Sequence, residues 1–364
     1  MKKLITLLLL SLFVVGIVSC GNTVKEPIKI GFIGPLTGPV ANPGVYVKNS
    51  FELAQTQLST VNGREIQVFY EDGKCIPKEG VTAAKKLLEV NEVNVIVSAV
   101  CGGSMLAIAP LMQDKILISP IVSTPAISEA GDYVFRISSS ADLFAKKTAL
   151  KIRELGFTKI GLVVENTEYA VGWKDSFVKS FTSEITAIET FSPGDTDVKT
   201  QLMKVDETKP DAILFLVQSP LSAALLVQQA KELGIKTQLV GNEAFFARQV
   251  VKALMKDDAE GLLVLTYKYD LNSTKMQKFM ADYELAYGEK IPEEIYGALG
   301  YDLYTILYDA FADCKKADSD CVRDFLYQTS REGASGFFTI DEKGDGIRDF
   351  MWWKVENSTL VPLE

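Results

Sequence analysis

Residues 95–125 restrict the possible folds more than any other stretch of the chain. An apolar, β-branched run at 95–100 is followed by Cys101-Gly102-Gly103-Ser104. Residues 105–112 then favour a helix, and a second apolar run begins at Ile116. A strand, a short helix and a strand in this order predict a βαβ unit with two parallel strands in one sheet. The stretch therefore predicts an α/β fold.

The loop between the first of these strands and the helix has the features of an anion-binding site. Gly102 and Gly103 allow the backbone to approach a ligand closely, and they leave N–H groups free at the positive end of the helix dipole. The polar residues Ser123 and Thr124 follow the next strand, at the same carboxyl edge of the sheet. A carboxylate fits such an edge, which we therefore interpret as half of a ligand site.

The alternation of strands and helices extends over most of the chain. Apolar runs predict strands at 28–33, 66–70, 93–100, 160–164, 212–217 and 239–241. In the second half, a helix is predicted at 141–155, a loop at 165–169 and a further helix at 172–183. No low-complexity linker interrupts the pattern. Two closely coupled α/β lobes are therefore expected, each with a parallel sheet covered by helices.

The N-terminus has the pattern of a targeting signal. Two lysines precede an apolar stretch at 4–18, which is shorter than the roughly 20 residues that span a bilayer. The stretch ends in Ile17-Val18-Ser19-Cys20-Gly21, which resembles a bacterial lipobox. The resemblance implies a signal peptide at 1–19, lipidation of Cys20, and a tether at 20–27 that anchors an extracytoplasmic protein to the cell membrane. An uncleaved signal anchor and ordinary secretion are the alternatives.

Five cysteines are an odd number for an exported chain. Assigning Cys20 to lipid leaves four, which allow three pairings. Cys314 and Cys321 are close in sequence, so local closure favours a disulfide between them and leaves Cys75 to pair with Cys101. Metal binding is the alternative, but the spacing fits no CxxC pattern and export favours disulfides. We therefore expect no metal site.

Composition excludes several classes of function. A formal net charge of −9 argues against nucleic acid or anionic lipid as the main partner. The chain contains no histidine, which removes the usual general base and the commonest zinc ligand. The pair Gly102-Gly103 lacks the third glycine of a dinucleotide fingerprint. We expect a protein that is not an enzyme and needs no cofactor.

Six stretches, taken in their order and spacing, carry a family resemblance. They are Ile30-Gly31-Phe32-Ile33-Gly34-Pro35-Leu36-Thr37-Gly38, Ile118-Ser119-Pro120, Asp132-Tyr133-Val134-Phe135-Arg136, Gly234-Ile235-Lys236-Thr237-Gln238, Tyr301-Asp302, and the segment from Gly336 to Asp345. Over residues 27–362 the chain resembles the leucine/isoleucine/valine-binding type of extracytoplasmic solute receptor, which serves ABC transporters. The permease subunits of such a transporter are the implied partners.

The resemblance implies the type I periplasmic-binding-protein fold. Two Rossmann-like lobes with parallel-type sheets would be joined by three crossovers, near Ala141, Tyr267 and Arg348, with the ligand between the lobes. The implied ranges are 28–141 plus 268–347 for lobe 1 and 142–267 plus 348–364 for lobe 2. Relatives have disulfides where Cys75–Cys101 and, in many of them, Cys314–Cys321 fall.

In amino-acid-binding relatives the helix after the second cysteine holds the α-carboxylate of the ligand. The matching residues here are Gly102, Gly103 and Ser104. The carbonyl group of Ile121 and the hydroxyl of Ser123 would take part in the shell around the carboxylate and the ammonium.

The opposing lobe is implied to complete the site. Tyr169 would contact or cover the ligand, and Glu243 would balance its ammonium. A zwitterion needs an anion site and a cation site a few ångströms apart, and a charge-assisted hydrogen bond is worth roughly 1.5–3 kcal/mol. The remaining candidates are Val122, Phe245 and Tyr296, of which Phe245 is as consistent with the core as with the pocket.

Three positions depart from the family pattern. Gly102 lacks the hydroxyl often found after the cysteine, Pro43 replaces a common aromatic residue, and Ile121 is larger than its usual counterpart. These departures bear on how the ligand side chain is recognised. The resemblance still implies a small amino acid of branched-chain type, or a related amino acid or amide, as the ligand. A ligand-sensing receptor subunit that acts through a separate membrane signalling partner is the alternative function.

Overall fold

The structure is a computed structural model that describes residues 25–38, 40–246, 256–315 and 317–363. The predicted signal peptide and the predicted lipidation site Cys20 lie outside these ranges. Within them, no helix has both the length and the apolar character that crossing a membrane requires.

The first lobe is built on a six-stranded sheet with the order β2-β3-β1-β4-β5-β6. Its strands are β1 (Ile28–Gly34), β2 (Thr60–Val61), β3 (Arg64–Asp72), β4 (Val95–Ser98), β5 (Ile116–Ser119) and β6 (Val134–Arg136). All neighbours are parallel except β2 and β3. Alternate residues of β1 enter two separate hydrophobic clusters, Phe32 in one and Ile33 in the other. Both faces of the sheet are therefore covered, as expected for parallel strands.

The second lobe is built on a seven-stranded sheet with the order β16-β15-β11-β10-β9-β7-β8. Its strands are β7 (Lys159–Glu165), β8 (Glu184–Phe191), β9 (Ala212–Leu216), β10 (Gln238–Gly241), β11 (Leu263–Tyr267), β15 (Phe350–Glu356) and β16 (Thr359–Pro362). Strands β7 to β11 are parallel, whereas β15 and β16 add to the edge in antiparallel pairing.

Helices cover both sheets and connect their strands. The described α-helices are α1 (Ala41–Gln57), α2 (Pro77–Glu89), α3 (Gly102–Met112), α4 (Ala141–Glu154), α5 (Glu168–Ser180), α6 (Lys199–Asp206), α7 (Pro220–Glu232), α8 (Thr274–Tyr287), α9 (Glu294–Asp313) and α10 (Ser319–Tyr327). A small antiparallel sheet contains β12 (Ser330–Gly333), β13 (Gly336–Ile340) and β14 (Gly346–Arg348). This is the expected α/β fold with two lobes and parallel-type sheets.

The chain passes between the two large sheets three times, and residues from the three passages are bonded to one another. It leaves the first sheet after β6, leaves the second after β11, and returns to the second with β15. The Ser139 amide donates to the Tyr267 hydroxyl at 2.9 Å, and Arg348 Nε donates to the carbonyl of Ile137 at 2.7 Å. Burial lowers the pKa of Arg348 to about 10. The predicted residue limits of the lobes stay a prediction.

Two local predictions in the second lobe were wrong. Residues 165–169 do not form a loop, because Glu165 ends β7 and α5 begins at Glu168. The Thr167 side chain accepts a hydrogen bond from the Ala170 amide and caps the helix, which begins four residues before its predicted start. Tyr169 therefore lies in the first turn of α5. The short elements β8 and α6 were not predicted.

Both disulfides favoured by the sequence are formed. Cys75 is bonded to Cys101, and Cys314 is bonded to Cys321. The first connects the segment after β3 to the residue that precedes α3. It therefore holds the start of α3, which begins with Gly102 and Gly103, from one side.

Candidate functional site

A cavity lies between the lobes, at the carboxyl edges of both sheets. Six predicted site residues line it: Gly102, Ile121, Ser123, Tyr169, Glu243 and Tyr296. Seven further residues complete the lining: Pro43, Val100, Thr124, Gln218, Pro220, Ala244 and Tyr267. Strand ends and helix starts from both lobes thus meet at one place, where ligands of open α/β sheets generally bind.

Four predicted residues are not part of the cavity lining. Ser104 is buried beneath Gly80, and its hydroxyl has no hydrogen-bond partner among the described residues. Val122 is packed in the core, and Phe245 is stacked on Phe215 inside the second lobe. Gly103 faces the carboxylate of Glu168 at the junction of the lobes. The side chains of Ser104, Val122 and Phe245 therefore pack inside the lobes instead of facing the cavity. For Phe245 the sequence was consistent with either the core or the pocket, and the structure places it in the core.

The first turn of α3 begins at the cavity, where Gly102 is part of the lining. No side chain caps this helix, and the first hydrogen bond at its start runs from the Met105 amide to the carbonyl of Cys101 at 3.0 Å. The N–H groups of the three preceding residues thus lack a backbone partner of the usual helical kind. Together with the helix dipole they form a site for an anion.

Glu243 faces this helix from the other lobe, just after β10. Its carboxylate accepts hydrogen bonds from Ser123 Oγ at 3.3 Å and from Trp173 Nε1 at 3.2 Å. No lysine or arginine in the described ranges forms an ion pair with it. Burial raises the pKa of Glu243 above its ordinary value, although hydrogen bonds from its neighbours oppose the rise. Within the described part of the chain, the site therefore holds a buried acid without a cationic partner.

Two tyrosines border the acid. The Tyr169 hydroxyl accepts a hydrogen bond from Asn242 Nδ2 at 3.0 Å. Its pKa is raised well above the ordinary value by burial and, secondly, by the charge of Glu243. Burial also raises the pKa of Tyr296. Both side chains are therefore neutral rings, suited to packing against a ligand.

Seven lining residues were missed by sequence reasoning as site candidates, and three of them, Gln218, Thr124 and Tyr267, carry polar side chains. Gln218 follows β9 at the carboxyl edge of the second sheet, so the rule that selected Ser123 would also have found it. Thr124 follows Ser123 but was not carried into the predicted site. Tyr267 ends β11 at a passage between the lobes, and no local pattern marks it as lining a cavity.

The sequence is similar to known proteins over most of its length. The sequence profile of the family described as periplasmic binding protein matches residues 27–359. The chain belongs to this family. Over 330 residues it is 25% identical to the leucine-, isoleucine-, valine-, threonine- and alanine-binding protein of Pseudomonas aeruginosa, covering 88% of this chain and 87% of that one. It is 23% identical over 331 residues to the Leu/Ile/Val-binding protein of Escherichia coli, covering 88% of each.

Solved structures agree with this family assignment. The leucine-binding protein LivK of Thermotoga maritima superposes with a TM-score of 0.84 at 25% identity, covering 93% of this chain and 98% of that one. A solute-binding protein of an ABC transporter from R. palustris, in complex with 4-hydroxybenzoate, superposes with a TM-score of 0.85 at 18% identity, covering 93% and 96%. The relatives and the fold of this periplasmic binding protein are those of solute-binding proteins, not of enzymes.

Proposed function

We propose that this protein is the extracytoplasmic, lipid-anchored solute receptor of an ABC transporter, and that its ligand is a small amino acid of branched-chain type or a related amino acid or amide. The binding role comes with the family. The ligand class is supported by the names of the relatives from P. aeruginosa, E. coli and T. maritima, which are described as binding proteins for such amino acids.

One observation carries the choice of an amino acid over an aromatic acid. Glu243 is a buried carboxylate without a described cationic partner, and it shares the cavity with the uncapped start of α3. A ligand with both a carboxylate and an ammonium satisfies both positions. A benzoate-type ligand carries no ammonium, and it would leave Glu243 as an unpaired buried acid, which costs free energy.

The apolar part of the cavity sets the kind of side chain that fits. Pro43, Val100 and Ile121 come from the first lobe, and the rings of Tyr267 and Tyr296 face the same space. These surfaces favour an aliphatic side chain over a charged one, because a charged group would be desolvated without a partner.

Closure of the lobes is the proposed mechanism. The anion site belongs to the first lobe, whereas Tyr169 and Glu243 belong to the second. A ligand that bonds to both lobes binds the closed form more tightly than the open form, so it shifts the equilibrium toward closure. A permease then distinguishes the loaded receptor by its shape.

A ligand screen tests the proposal. The mature protein is heated with each of the twenty amino acids, with leucinamide and with benzoate, and positive compounds are measured by calorimetry. A ligand at 100 times its dissociation constant adds about 2.7 kcal/mol to the free energy of unfolding. We expect at least one aliphatic amino acid to stabilise the protein and benzoate not to. Stabilisation by benzoate alone would contradict the proposed ligand class.

The transport role is tested separately from the ligand. The anchored receptor is crosslinked in membranes of its own organism in the presence and absence of the ligand, and the captured proteins are identified. We expect ABC permease subunits. Capture of a membrane kinase or a chemoreceptor instead would favour the alternative function, a sensing receptor.

A further inference from the structure

Position 102 at the start of α3 has no room for a side chain. A Cβ atom built on Gly102 would lie 1.8 Å from Thr124 Oγ1 and 2.7 Å from Thr124 Cβ. Such distances do not occur between unbonded atoms, so a side chain at 102 and the threonine at 124 exclude each other. The hydroxyl of Thr124 thus occupies the space at the helix start that a residue-102 side chain would fill.

The Thr124 hydroxyl is available to a ligand. The residue is only 3% exposed and lines the cavity. Its carbonyl accepts hydrogen bonds from Arg136 Nη1 at 2.7 Å and from the Ile127 amide at 3.2 Å. Its Oγ1, by contrast, forms no hydrogen bond among the described residues, and the residue lines the cavity. A nearly buried hydroxyl without a partner, next to unoccupied amides, indicates a position for a ligand atom.

The neighbouring hydroxyl is already engaged. Ser123 Oγ donates its proton to Glu243 Oε1, and a hydroxyl has a single proton to donate. While that bond is kept, Ser123 cannot also donate to a ligand carboxylate. Of the serine and the threonine that line the cavity, Thr124 is therefore the one whose hydroxyl is free to donate.

The backbone around Thr124 is held in place before any ligand arrives. Arg136, which is fully buried, forms an ion pair with Asp345 at 2.7 Å and at the same time holds the Thr124 carbonyl. The Ser138 hydroxyl donates to the carbonyl of Val122 at 2.7 Å. A loop fixed in this way loses little conformational entropy on binding.

We propose that Thr124 donates a hydrogen bond to the ligand carboxylate at the start of α3, and that glycine is required at position 102 because Thr124 reaches across the turn to supply this hydroxyl. This inference rests on the proposed function, since it assumes a carboxylate ligand. It assigns part of the anion site to a residue of the loop after β5.

Four variants test the proposal: Thr124→Val, Thr124→Ser, Gly102→Ser, and Gly102→Ser combined with Thr124→Ala. Binding of L-leucine, L-alanine, leucinamide and benzoate is measured by calorimetry. Thr124→Val keeps the volume but removes the hydroxyl, and we expect it to weaken binding of the best carboxylate probe by about tenfold or more, as for a hydrogen bond to a charged group. Thr124→Ser is expected to bind within about threefold of the original protein.

The amide probe separates a direct contact from a structural effect. If L-leucine is bound, the loss caused by Thr124→Val is expected to be smaller for leucinamide, which has no carboxylate. An equal loss for both probes would mean that Thr124 only shapes the cavity, and that result would overturn the proposal.

The double variant tests the exclusion between positions 102 and 124. Gly102→Ser alone is expected to lose binding because of the collision. Adding Thr124→Ala removes the 1.8 Å collision with Oγ1 but keeps the 2.7 Å approach to Cβ, and it leaves a hydroxyl at 102. The double variant should therefore recover part of the lost affinity and bind more tightly than Gly102→Ser. If the loss of binding free energy in the double variant equals the sum of the losses from its two substitutions, the two positions are not coupled, which would contradict the proposal.

The outcomes also separate this inference from the proposed function. If the original protein binds benzoate but no amino acid, the proposed ligand class fails, and Thr124→Val still tests the carboxylate contact with benzoate. If it binds L-leucine and Thr124→Val binds equally well, only the Thr124 role fails. If it binds neither these carboxylate probes nor any of the twenty amino acids of the ligand screen, the Thr124 role is overturned, and the proposed ligand class fails with it unless leucinamide binds.

Discussion

The environment of Glu243 predicts that ligand binding depends on pH. Burial raises its pKa, whereas an ammonium ligand needs its carboxylate ionised. Binding therefore favours the deprotonated form, and protonation of the free protein competes with it. We expect the affinity for an amino acid to fall as the pH is lowered through the raised pKa, approaching tenfold per pH unit.

The matched control for this prediction is Glu243→Gln. It retains an oxygen that can accept from Ser123 and Trp173 but has no charge to lose. Calorimetry between pH 8 and pH 4.5 is expected to give weaker binding by about tenfold or more at pH 8 and little further change on acidification. Equal affinity of the two proteins at pH 8 would contradict the ammonium role of Glu243.

At the residue scale, the sequence located the chemistry of the site better than its geometry. The resemblance pointed to Ser123 and Glu243, whose side chains meet across the cavity. It also pointed to Ser104, whose side chain is buried against Gly80 and does not line the cavity. Which face of α3 is turned toward the cavity depends on tertiary packing, and the sequence pattern does not record it.

At the scale of elements, prediction succeeded where burial leaves a strong pattern. The strand predicted at 28–33 is β1 (Ile28–Gly34), and the helix predicted at 141–155 is α4 (Ala141–Glu154). The missed strand β8 (Glu184–Phe191) lies at the sheet edge with most residues partly or fully exposed. Its residues therefore lack a continuous apolar run, and its pairing with β7 is a long-range property.

Helix α5 is where the second lobe packs against the first, and Gly172 lies at this contact. A Cβ atom at Gly172 would be 3.1 Å from Pro125 Cδ, so closure would need a small displacement. Alanine should stabilise the isolated helix by about 0.5–1 kcal/mol, yet weaken ligand binding about tenfold, at the low end of the cost of overpacking. Thermal unfolding without ligand and calorimetry with ligand measure the two effects.

The exposed residue Val178 on the same helix provides the control for Gly172→Ala. We expect Val178→Ala to leave ligand affinity unchanged, because its side chain is exposed. Unchanged affinity in Gly172→Ala, together with the expected gain in stability, would show that the contact with Pro125 does not limit closure.

The two disulfides should differ in what their removal does. Replacing Cys75 and Cys101 together by alanine is expected to cost about 2–4 kcal/mol and to weaken binding, because Cys101 immediately precedes α3. The bond between Cys314 and Cys321 closes a separation of 7 residues instead of 26. Its removal should cost roughly 1 kcal/mol less by chain entropy and leave ligand affinity intact. Denaturant unfolding and calorimetry test both pairs, and an equal loss of affinity in both would contradict the assigned difference.

At the scale of the whole molecule, the folded chain is organised around the three passages between its lobes. Tyr267 belongs to this junction through its bond with the Ser139 amide, and it also lines the cavity. The Arg348 guanidinium lies 5.5 Å from the centre of the Tyr267 ring. The cavity lining and the lobe junction therefore share a side chain, through which the proposed ligand would bias the angle between the lobes.

The proposed lipid anchor would keep this closing motion near the membrane. From Cys20 to the start of β1 at Ile28 there are eight residues, whose maximum reach is about 30 Å. A receptor held at that distance meets a permease at a high effective concentration, without diffusing through the surrounding volume. The anchor would thus raise the rate of delivery and leave the ligand affinity unchanged, since the ligand-binding cavity is built from the folded lobes.

Replacing Cys20 by serine tests the anchor. We expect the original protein in the membrane fraction, labelled by a radioactive fatty acid, and the Cys20→Ser protein without label. Detergent extraction followed by calorimetry should give equal ligand affinity for both. A soluble, unlabelled original protein would indicate ordinary secretion. An uncleaved signal anchor would give a different result. Both proteins would then be unlabelled, keep the full leader and stay in the membrane.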